Sequence, residues 1–434
     1  MGRYDVLISG GGIVGAALAC RVASAVAPGT RRIACLEVRS PQSFSDATAS
    51  TTPDIRTYAL APASVRVLKE AGVWERIFAS GRHQRFDQMQ IWDATGTKDG
   101  YVRFSSECDL GYIVENSVVQ SALYERMQEL EDEGKLELHC PATVETIDRE
   151  AVGGYHVGTT AKEMYTNLLV AADGGMSKIR QLAGLGSWGR TYEQKAVVAT
   201  VRLAPDAGER SMTWQRFLPS GPVAILPLWD GMASIVWSTS MEEAKTLQQD
   251  CAPEEFLRRL NKAFHGEGNA AAFSLPPLPP LPFMPASGSR EAPAFLPPPL
   301  ATELVSPLAS FPLKLEQAST YSRPGLALVG DAAHTIHPMA GQGLNYGLGD
   351  VECLTNSLLE TDRTGGNFGD HNVLQVYEDE RKRANAAIGT SLDVVKRLFE
   401  SDSSGVQMAR VAGMAALNAN PAMKEQITKF AMGL

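Results

Sequence analysis

The first 37 residues constrain the fold more than any other part of the chain. The apolar run Val6-Leu7-Ile8 leads into Gly10-Gly11-Gly12-Ile13-Val14-Gly15, an alanine-rich stretch follows, and a second apolar run ends at Glu37. This order predicts strand, helix and strand, with the glycines in the first turn. Gly10 permits the tight turn, Gly12 the close approach of a pyrophosphate, and Gly15 the packing of helix on strand. Glu37 follows at the spacing of a carboxylate that binds an adenosine ribose, so the segment predicts dinucleotide binding.

In two later segments, an apolar run is followed by an acidic residue that is next to a glycine. Leu168–Ala172 precedes Asp173-Gly174, and Leu326–Val329 precedes Gly330-Asp331. Ligands of open α/β sheets bind outside the carboxyl ends of the strands, so both carboxylates are expected at one sheet edge.

The loop after Asp331 is rich in glycine and leads into a helix predicted over Leu344–Leu359. Gly341 and Gly343 allow backbone N–H groups to approach a ligand, and a helix N-terminus favours negative charge. A carboxylate at the strand end can accept hydrogen bonds from a polyol. The combination suits a flavin, whose ring becomes anionic on reduction. Taken alone, the segment is also compatible with an ordinary glycine-rich turn.

Two side chains outside these loops are candidate cofactor contacts. Arg56 either reaches a phosphate or the flavin ring, or forms a structural ion pair. Gln120 lies on a helix predicted over Val118–Glu133, and it either touches the cofactor or is a solvated helix residue.

Residues 195–240 have a different periodicity. Short runs rich in β-branched and aromatic residues, separated by glycine and proline turns, predict an antiparallel sheet inserted into the dinucleotide fold. The predicted strands are Val197–Leu203, Met212–Leu218, Val223–Leu228 and Ala233–Ser238. Their aromatic side chains either offer a surface to an aromatic substrate or pack the core of the sheet.

The last third of the chain contains two unusual stretches. Residues 274–313 carry 12 of the chain's 25 prolines. A long surface loop is predicted there, with docking into a partner's aromatic groove as the alternative. The sheet is expected to resume over Ser310–Leu315. Helices are then predicted over Val376–Phe399, over Gln407–Leu417 and from Pro421 onwards. Their apolar face either covers the core or touches a membrane surface.

Composition narrows the class of protein. Hydrophobic residues at 44% and charged residues at 21% are typical of a globular protein. The net charge of −9 argues against a nucleic-acid partner. Six cysteines without a Cys-x-x-Cys pair predict reduced thiols and no metal site. No apolar run reaches the ~18 residues that span a bilayer, and the first strand begins too early to leave room for a leader peptide.

Three motifs in this order carry a family resemblance. They are the glycine fingerprint, Asp173-Gly174-x-x-Ser177-x-x-Arg180, and Gly330-Asp331-Ala332-Ala333-His334-x-x-His337-Pro338-x-x-Gly341-Gln342-Gly343-x-Asn345. The chain resembles the group A FAD-dependent aromatic hydroxylases of the p-hydroxybenzoate hydroxylase fold. It is most similar to the eukaryotic mitochondrial ubiquinone (coenzyme Q) biosynthesis monooxygenases that act on ring carbon 5. The stretches that carry this narrower similarity are Gly111–Asn116, Trp214–Pro222, Ile235–Ser240 and Lys424–Ile427.

Pattern and resemblance together predict an α/β fold. A Rossmann-like FAD-binding domain of the glutathione-reductase type is expected over residues 1–88, 110–190 and 320–385. An inserted antiparallel-sheet substrate domain is expected over 89–109 and 191–319, including the proline-rich loop 274–312. A C-terminal helical segment is expected over 386–434.

The resemblance also implies roles for particular residues. Reduced FAD and O₂ would form a flavin hydroperoxide that hydroxylates carbon 5 of a polyprenylated phenol in ubiquinone biosynthesis, without a protein nucleophile. Pro338 and Gly341 would position the reacting face of the flavin, and His334 and His337 would pack against its loop without transferring protons. The predicted cofactor contacts are Gly10, Gly12, Gly15, Glu37, Arg56, Gln120, Asp173, Asp331, Gly341, Gly343, Leu344 and Asn345. The predicted substrate passage is lined by Phe217, Leu226, Pro227 and Trp237.

Partners and location follow from the resemblance alone. Electrons would come from a ferredoxin and its reductase or from NADPH, and both remain open. The resemblance implies the matrix face of the mitochondrial inner membrane, peripheral membrane contact and a multiprotein ubiquinone-biosynthesis complex. The competing interpretations are another flavin-dependent aromatic hydroxylase, an NAD-linked dehydrogenase that would explain only residues 4–37, and a non-catalytic scaffold on the same fold. The Gly341-Gln342-Gly343 turn argues against the scaffold.

Overall fold

The structure is a computed structural model that describes residues 2–94, 100–151, 153–205, 211–266, 294–335, 343–401 and 403–433. Pro338, His337 and Gly341, together with most of the proline-rich stretch, lie outside the described residues. The strands are β1 Tyr4–Ser9, β2 Ile33–Leu36, β3 Thr57–Leu60, β4 His83–Phe86, β5 Gln88–Asp93, β6 Tyr101–Ser105, β7 Gly111–Glu115, β8 Glu137–His139, β9 Val144–Arg149, β10 Tyr155–Thr159, β11 Glu163–Ala171, β12 Ser187–Leu203, β13 Met212–Leu218, β14 Gly221–Pro227, β15 Met232–Ser240, β16 Ala301–Leu304, β17 Ala309–Ala318, β18 Ser322–Arg323, β19 Leu326–Leu328 and β20 His334–Thr335. The α-helices are α1 Ile13–Ala25, α2 Phe44–Ala49, α3 Pro62–Glu70, α4 Trp74–Ala79, α5 Asn116–Asp132, α6 Lys178–Leu182, α7 Met241–Gln249, α8 Pro253–His265, α9 Gly343–Arg363, α10 His371–Glu400, α11 Ser404–Asn418 and α12 Pro421–Met432.

The chain divides into two compact units. Unit 1 comprises Met1–His83, Val114–Tyr192 and Leu313–Thr390. Unit 2 comprises Gln84–Ile113, Glu193–Pro312 and Ser391–Leu434. The C-terminal residues 391–434 therefore group with unit 2, whereas the sequence suggested a separate helical segment from residue 386.

Unit 1 is built on a sheet with the order β18-β19-β11-β1-β2-β8. The neighbours β19, β11, β1, β2 and β8 run parallel, and β18 and β10 join them antiparallel. The sequences of the central strands are continuous apolar runs, because both faces of these strands are covered. Helix α1 can approach its neighbouring elements closely, because its buried positions are mostly alanine and other small residues. The predicted α/β fold is confirmed.

Unit 2 is built on a second sheet, with the order β12-β15-β14-β13-β5-β6 and β16 paired to β12. Strands β12 to β15 pair antiparallel, as the sequence predicts. The pairing of β13 with β5 is parallel, so the sheet is mixed rather than wholly antiparallel. The cause is topological. β5 belongs to an earlier segment of the chain and no hairpin joins it to β13, so the two strands are free to pair in parallel.

The two faces of this second sheet differ. Face A, defined by Trp92, Trp214, Ile225, Ile235 and Trp237, packs against apolar side chains of α7 and α8 and forms the hydrophobic core of the unit. Face B carries the alternate residues of the same strands, because successive side chains point to opposite sides of a strand.

The end of the proline-rich stretch is partly ordered into strands. β16 pairs antiparallel with β12, and β17 begins before the stretch ends. The prediction of a loop is therefore wrong for residues 301–304, whereas β17 confirms the expected return of the sheet near Ser310. No proline occurs within β16, so its backbone N–H groups remain available for pairing.

Candidate active site

Four neighbouring strands of unit 1 end at one edge of the sheet. Leu36, Ser9, Ala171 and Leu328 are the last paired residues of β2, β1, β11 and β19. The predicted site residues Glu37, Gly10, Asp173 and Asp331 all follow within a few residues of these ends. The fold therefore brings them to the sheet edge where α/β proteins bind ligands.

The three glycines of the fingerprint have different surroundings. Gly10 has φ +107°, and a Cβ there would lie 2.4 Å from the carbonyl oxygen of Ala172. At Gly15 a Cβ would lie 1.9 Å from the carbonyl oxygen of Gly10. At Gly12 it would meet nothing within 4 Å. Gly10 and Gly15 are thus required by packing, whereas Gly12 leaves open space in front of the first turn of α1.

Glu37 closes the glycine loop from the neighbouring strand. The N–H of Gly11 donates to its Oε2 at 2.5 Å, and the N–H of Arg39 donates to its Oε1 at 3.3 Å. Each carboxylate oxygen has two lone pairs, so Glu37 keeps acceptor capacity for a hydroxyl group.

Asp331 is the carboxylate at the end of β19. Gly330 before it adopts φ +59°, a left-handed conformation that favours glycine and turns the chain out of the strand. The Asp331 side chain is exposed to solvent, yet protein surrounds it closely enough for desolvation to raise its pKa. An accessible carboxylate in such a position can accept hydrogen bonds from a polyol.

Asp173 plays a structural part as well. Its Oδ2 accepts from the N–H groups of Lys178 at 2.8 Å and Ile179 at 3.2 Å, which satisfies the start of α6. Its Oδ1 is buried and has no hydrogen-bond partner in the described part of the chain. That oxygen is free to accept from a bound group.

Arg180 joins the two acidic loops. Its Nη1 donates to the carbonyl oxygen of Ala332 at 2.8 Å, and its Nη2 donates to that of Gly175 at 3.0 Å. Nη2 also pairs with Glu316 Oε1 at 2.8 Å. The buried guanidinium therefore holds the loop after β11 against the loop after β19.

Arg56 and Gln120 are joined to each other by a short hydrogen-bonded chain through Asn116, which also binds Tyr58. The N–H of Asn116 donates to the Arg56 carbonyl oxygen at 2.9 Å, Tyr58 Oη donates to Asn116 Oδ1 at 3.2 Å, and Asn116 Nδ2 donates to Gln120 Oε1 at 3.5 Å. Burial raises the pKa of Tyr58, with Arg56 lowering it and Asp331 raising it further, so both charges act at this position. The Arg56 side chain is exposed.

The side chain of Asn345 makes hydrogen bonds within the protein. Its Nδ2 donates to the carbonyl oxygen of Ala59 at 2.8 Å, while its Oδ1 accepts from the N–H of Ala61 at 2.9 Å and from Ser64 Oγ at 2.7 Å. The side chain thus fastens the start of α9 to the β3–α3 connection. Leu344 is buried, and a Cβ at Gly343 would meet nothing within 4 Å. Approach to a ligand at this turn is left to the backbone.

Asp350 lies outside the predicted motifs and is fully buried on α9. Its Oδ2 accepts from the N–H of Gly330 at 2.8 Å and from His334 Nε2 at 2.6 Å, and its Oδ1 accepts from Arg381 Nε at 2.7 Å. Burial alone would raise the pKa of Asp350, but His334 and Arg381 lower it. One sequence signal could have indicated this role: Asp350 is an acidic residue in the apolar part of a helix, one turn after Gly347. Gly347 packs tightly, because a Cβ there would lie 2.6 Å from Val14.

The four predicted substrate residues do not line one passage. Trp237 lies in the core of face A, and Pro227 shares that face by alternation along β14. Phe217 and Leu226 lie on face B, where Phe217 stacks on Phe399 with ring centroids 4.0 Å apart. Strand alternation therefore separates the four residues into two pairs on opposite faces of the sheet.

Comparison with known proteins identifies the class. A family model described as an FAD binding domain matches residues 3–273 and 289–390. Ubiquinone biosynthesis monooxygenase COQ6, mitochondrial, of Xenopus tropicalis is 36% identical over 455 residues, which cover 99% of this chain and 93% of that protein. The Homo sapiens protein of the same name is 35% identical over 439 residues, covering 99% and 92%.

Solved structures show the same fold. The p-nitrophenol 4-monooxygenase PnpA from Pseudomonas putida DLL-E4 aligns with a TM-score of 0.70 at 18% identity, over 98% of this chain and 96% of that one. P. aeruginosa PqsL in complex with 2-aminobenzoylacetate aligns with a TM-score of 0.71 at 22% identity, over 95% and 99%.

The chain belongs to the FAD-dependent monooxygenases, and within them to the ubiquinone biosynthesis monooxygenase family. The described residues fit FAD. At one sheet edge lie the opening at Gly12, the accessible carboxylate of Asp331 and the Oδ1 of Asp173, which has no partner among the described residues. Together they offer the donors and acceptors that a dinucleotide requires.

Proposed function

We propose that this enzyme hydroxylates ring carbon 5 of a polyprenylated phenol in ubiquinone biosynthesis. The observation that carries the proposal is the meeting of four strand ends at one edge, with Asp331 left accessible among them. Full-length similarity to proteins named as ubiquinone biosynthesis monooxygenases supports the pathway. Another aromatic substrate for the same flavin chemistry is the alternative.

The residues of unit 1 would hold the cofactor. The N–H groups at the start of α1, behind the open space at Gly12, would bind the pyrophosphate. Glu37 would accept from the adenosine ribose and Asp331 from the ribityl chain. Arg56, Gln120 and the backbone at Gly343 would complete the contacts. Outside the described residues, Pro338 and Gly341 would position the reacting face.

When bound and reduced, FAD supplies the activation of O₂. The chain's own part is to bind and orient the cofactor and to keep water from the reacting face. Asp350 and Arg180 contribute by fixing the loops on either side of Asp331. No protein nucleophile takes part in the proposed reaction.

Electrons for the reaction come, in our proposal, from a ferredoxin and its reductase. A second Gly-x-Gly-x-x-Gly pattern, Gly184–Gly189, follows helix α6 and leads into strand β12, so it lacks the strand–turn–helix context of a dinucleotide fingerprint. Such a fingerprint is not required for NADPH. Anaerobic bleaching of the flavin distinguishes the donors: reduced ferredoxin should bleach it within turnover time, and NADPH alone should not. Rapid bleaching by NADPH alone would contradict this part of the proposal.

We also place the enzyme at the matrix face of the mitochondrial inner membrane, in a multiprotein ubiquinone-biosynthesis complex. None of the helices in the described part of the chain is long and apolar enough to cross a bilayer. Helix α12 instead exposes Met423, Ile427 and Phe430, which lie on one side of the helix at helical spacing. Such a stripe suits peripheral contact with the membrane that contains a polyprenylated substrate.

One experiment tests the reaction. Purified FAD-loaded protein is given O₂, reduced ferredoxin and a farnesylated phenol with a free carbon 5, and the product is analysed by mass and ring position. We expect one added oxygen at carbon 5, and no product from Asp331→Ala, whose flavin occupancy should fall. Protein that stays colourless with excess FAD would refute the proposal, and hydroxylation elsewhere on the ring would refute the assigned position.

A further inference from the structure

We propose that unit 1 receives its electron donor, an acidic iron–sulfur protein, on the surface around α6. The inference rests on the proposed function, which takes electrons from a ferredoxin, and it adds the place where the ferredoxin docks. The residues of this α6 surface are exposed, and each is either apolar or basic: Met176, Lys178, Leu182, Trp188, Arg190 and Arg323.

The α6 surface exposes large apolar side chains. Met176 is 86% exposed, Trp188 58% and Leu182 42%. Single exposed apolar residues are common, whereas a group of them rimmed by charged residues marks a contact site. Tryptophan, methionine and arginine are also residue types that are enriched in protein interfaces.

One buried guanidinium joins the two chain segments that carry these side chains. Arg180 Nη2 donates to the carbonyl oxygen of Gly175 at 3.0 Å and to Glu316 Oε1 at 2.8 Å. The same Glu316 oxygen accepts from Ser187 Oγ at 2.9 Å. Gly175 and Ser187 each directly precede an exposed apolar residue of the α6 surface. The fold therefore presents both residues from one fixed frame within unit 1.

The charge of the α6 surface is opposite in sign to that of the whole protein. The chain has a net charge of −9, whereas residues 174–192 contain Lys178, Arg180 and Arg190 and no Asp or Glu. Arg180 is buried and its charge is balanced by Glu316. Lys178 and Arg190 are exposed, so the segment presents positive charge to solvent.

Arg323 extends the positive charge to the other end of α6. Its Nη1 donates to the carbonyl oxygen of Ala183 at 2.7 Å. That acceptor carries no net charge, so this bond leaves the positive charge of the exposed guanidinium uncompensated. An acidic partner is repelled by the net charge of the protein and attracted to this surface, which steers it to one docking place.

The α6 surface begins next to a predicted cofactor contact. Met176 follows Asp173 by three residues, and Asp173 Oδ2 accepts from the N–H of Lys178 at 2.8 Å. A protein donor must dock close to the flavin, because electron transfer slows steeply with distance. Each reduced iron–sulfur cluster gives one electron. Two dockings and one proton from solvent therefore convert FAD to its anionic reduced form and leave two oxidised clusters.

The test uses FAD-loaded enzyme, an acidic [2Fe–2S] ferredoxin and the variants Lys178→Glu and Trp188→Ala. Fluorescence anisotropy of labelled oxidised ferredoxin measures binding, and anaerobic bleaching by reduced ferredoxin measures electron transfer. We expect each variant to bind ferredoxin about 10-fold more weakly at low salt and to be bleached correspondingly more slowly. Bleaching by dithionite, FAD occupancy and unfolding temperature should not change, because both side chains are exposed.

Salt separates the two contributions. At about 1 M salt the Debye length is about 3 Å, so the difference between Lys178→Glu and wild type should disappear. The loss of affinity in Trp188→Ala should persist, because apolar contact is not screened by salt.

Two matched controls are available. Lys162 is an exposed lysine at the other end of β11, roughly 30 Å along the chain from Asp173. Phe430, on α12 of unit 2, is an aromatic residue with 60% exposure, close to that of Trp188. Lys162→Glu and Phe430→Ala should therefore keep the ferredoxin affinity of the wild type.

The outcomes distinguish this inference from the proposed function. Equal ferredoxin affinity of wild type, Lys178→Glu and Trp188→Ala would overturn the docking surface and leave the proposed function in place. If these variants instead lost binding to vesicles of phosphatidylserine and phosphatidylcholine, the surface would belong to the membrane. A wild-type flavin that reduced ferredoxin does not bleach would overturn both the proposed donor and its docking surface.

Discussion

The backbone N–H of Gly330 donates to the buried carboxylate of Asp350 at 2.8 Å, across 20 residues of chain. Gly330 holds the left-handed turn that presents Asp331, so a side chain on α9 fixes the geometry of a predicted cofactor contact. The same carboxylate holds His334 and Arg381.

Replacing Asp350 by alanine should therefore weaken both folding and cofactor binding. Arg381 would be left buried without its carboxylate, which costs about 3–5 kcal/mol in comparable cases. Asp350→Asn keeps an acceptor for Gly330 and should lose less FAD affinity. Urea unfolding and FAD titration measure the two effects. Glu352→Ala, on the same helix and in a partly exposed pair with Arg66, is the control and should change stability by less than about 1 kcal/mol.

Gly12 and Gly15 should respond differently to the same added methyl group. Gly15→Ala places a Cβ against the Gly10 carbonyl oxygen and should destabilise the protein by about 1–3 kcal/mol or more. Gly12→Ala meets nothing in the protein, so the apoprotein should keep its stability and lose FAD affinity. Thermal unfolding of the apoprotein and flavin titration separate the outcomes. Equal FAD affinity of Gly12→Ala and wild type would show that the pyrophosphate lies elsewhere.

Arg180→Lys should not behave as a conservative change. The guanidinium bonds Ala332, Gly175 and Glu316 from a buried position, and an ammonium group cannot reproduce this forked geometry. We expect a loss of about 2–4 kcal/mol in the free energy of unfolding, together with weaker FAD binding. Arg363→Lys, in an exposed pair with Glu360, should be nearly neutral, and a similar loss in both variants would refute this role.

Glu378 should make unit 1 sensitive to acid. Burial alone would raise its pKa, but Lys382, Thr320 and Ser322 hold the pKa of Glu378 at about 2, below the usual 4.5. Its stabilisation is complete above about pH 4.5 and is lost as pH falls towards 2. Glu378→Gln should cost roughly 2–3 kcal/mol at pH 7 and progressively less as pH approaches 2. Urea unfolding across this range tests the slope, and parallel curves for variant and wild type would contradict it.

Much of the fold could be predicted because its signals are local. The glycine fingerprint, the apolar runs before Glu37, Asp173 and Asp331, and the change of periodicity after Lys195 each require only neighbouring residues. Ligands of α/β sheets lie at the carboxyl ends of the strands, and this rule is enough to assign these residues to one sheet edge from their order in the chain.

Other features depend on contacts between distant segments. Asn345 is a motif residue, yet its amide is taken up by Ala59, Ala61 and Ser64, far away in sequence. The parallel pairing of β5 with β13 likewise joins two separate excursions of the chain. No local pattern of residues specifies such partners.

The class of site is encoded in short segments of the chain, since a dinucleotide turn and acidic strand ends need only a few consecutive residues. Which side chains share that site depends instead on the folded chain. Folding separates Trp237 and Pro227 from Phe217 and Leu226, and it makes Asp350 a buried support for Gly330. The physical reason is that strand alternation, sheet register and burial assign each side chain its face and its partner, and these depend on the whole packed chain.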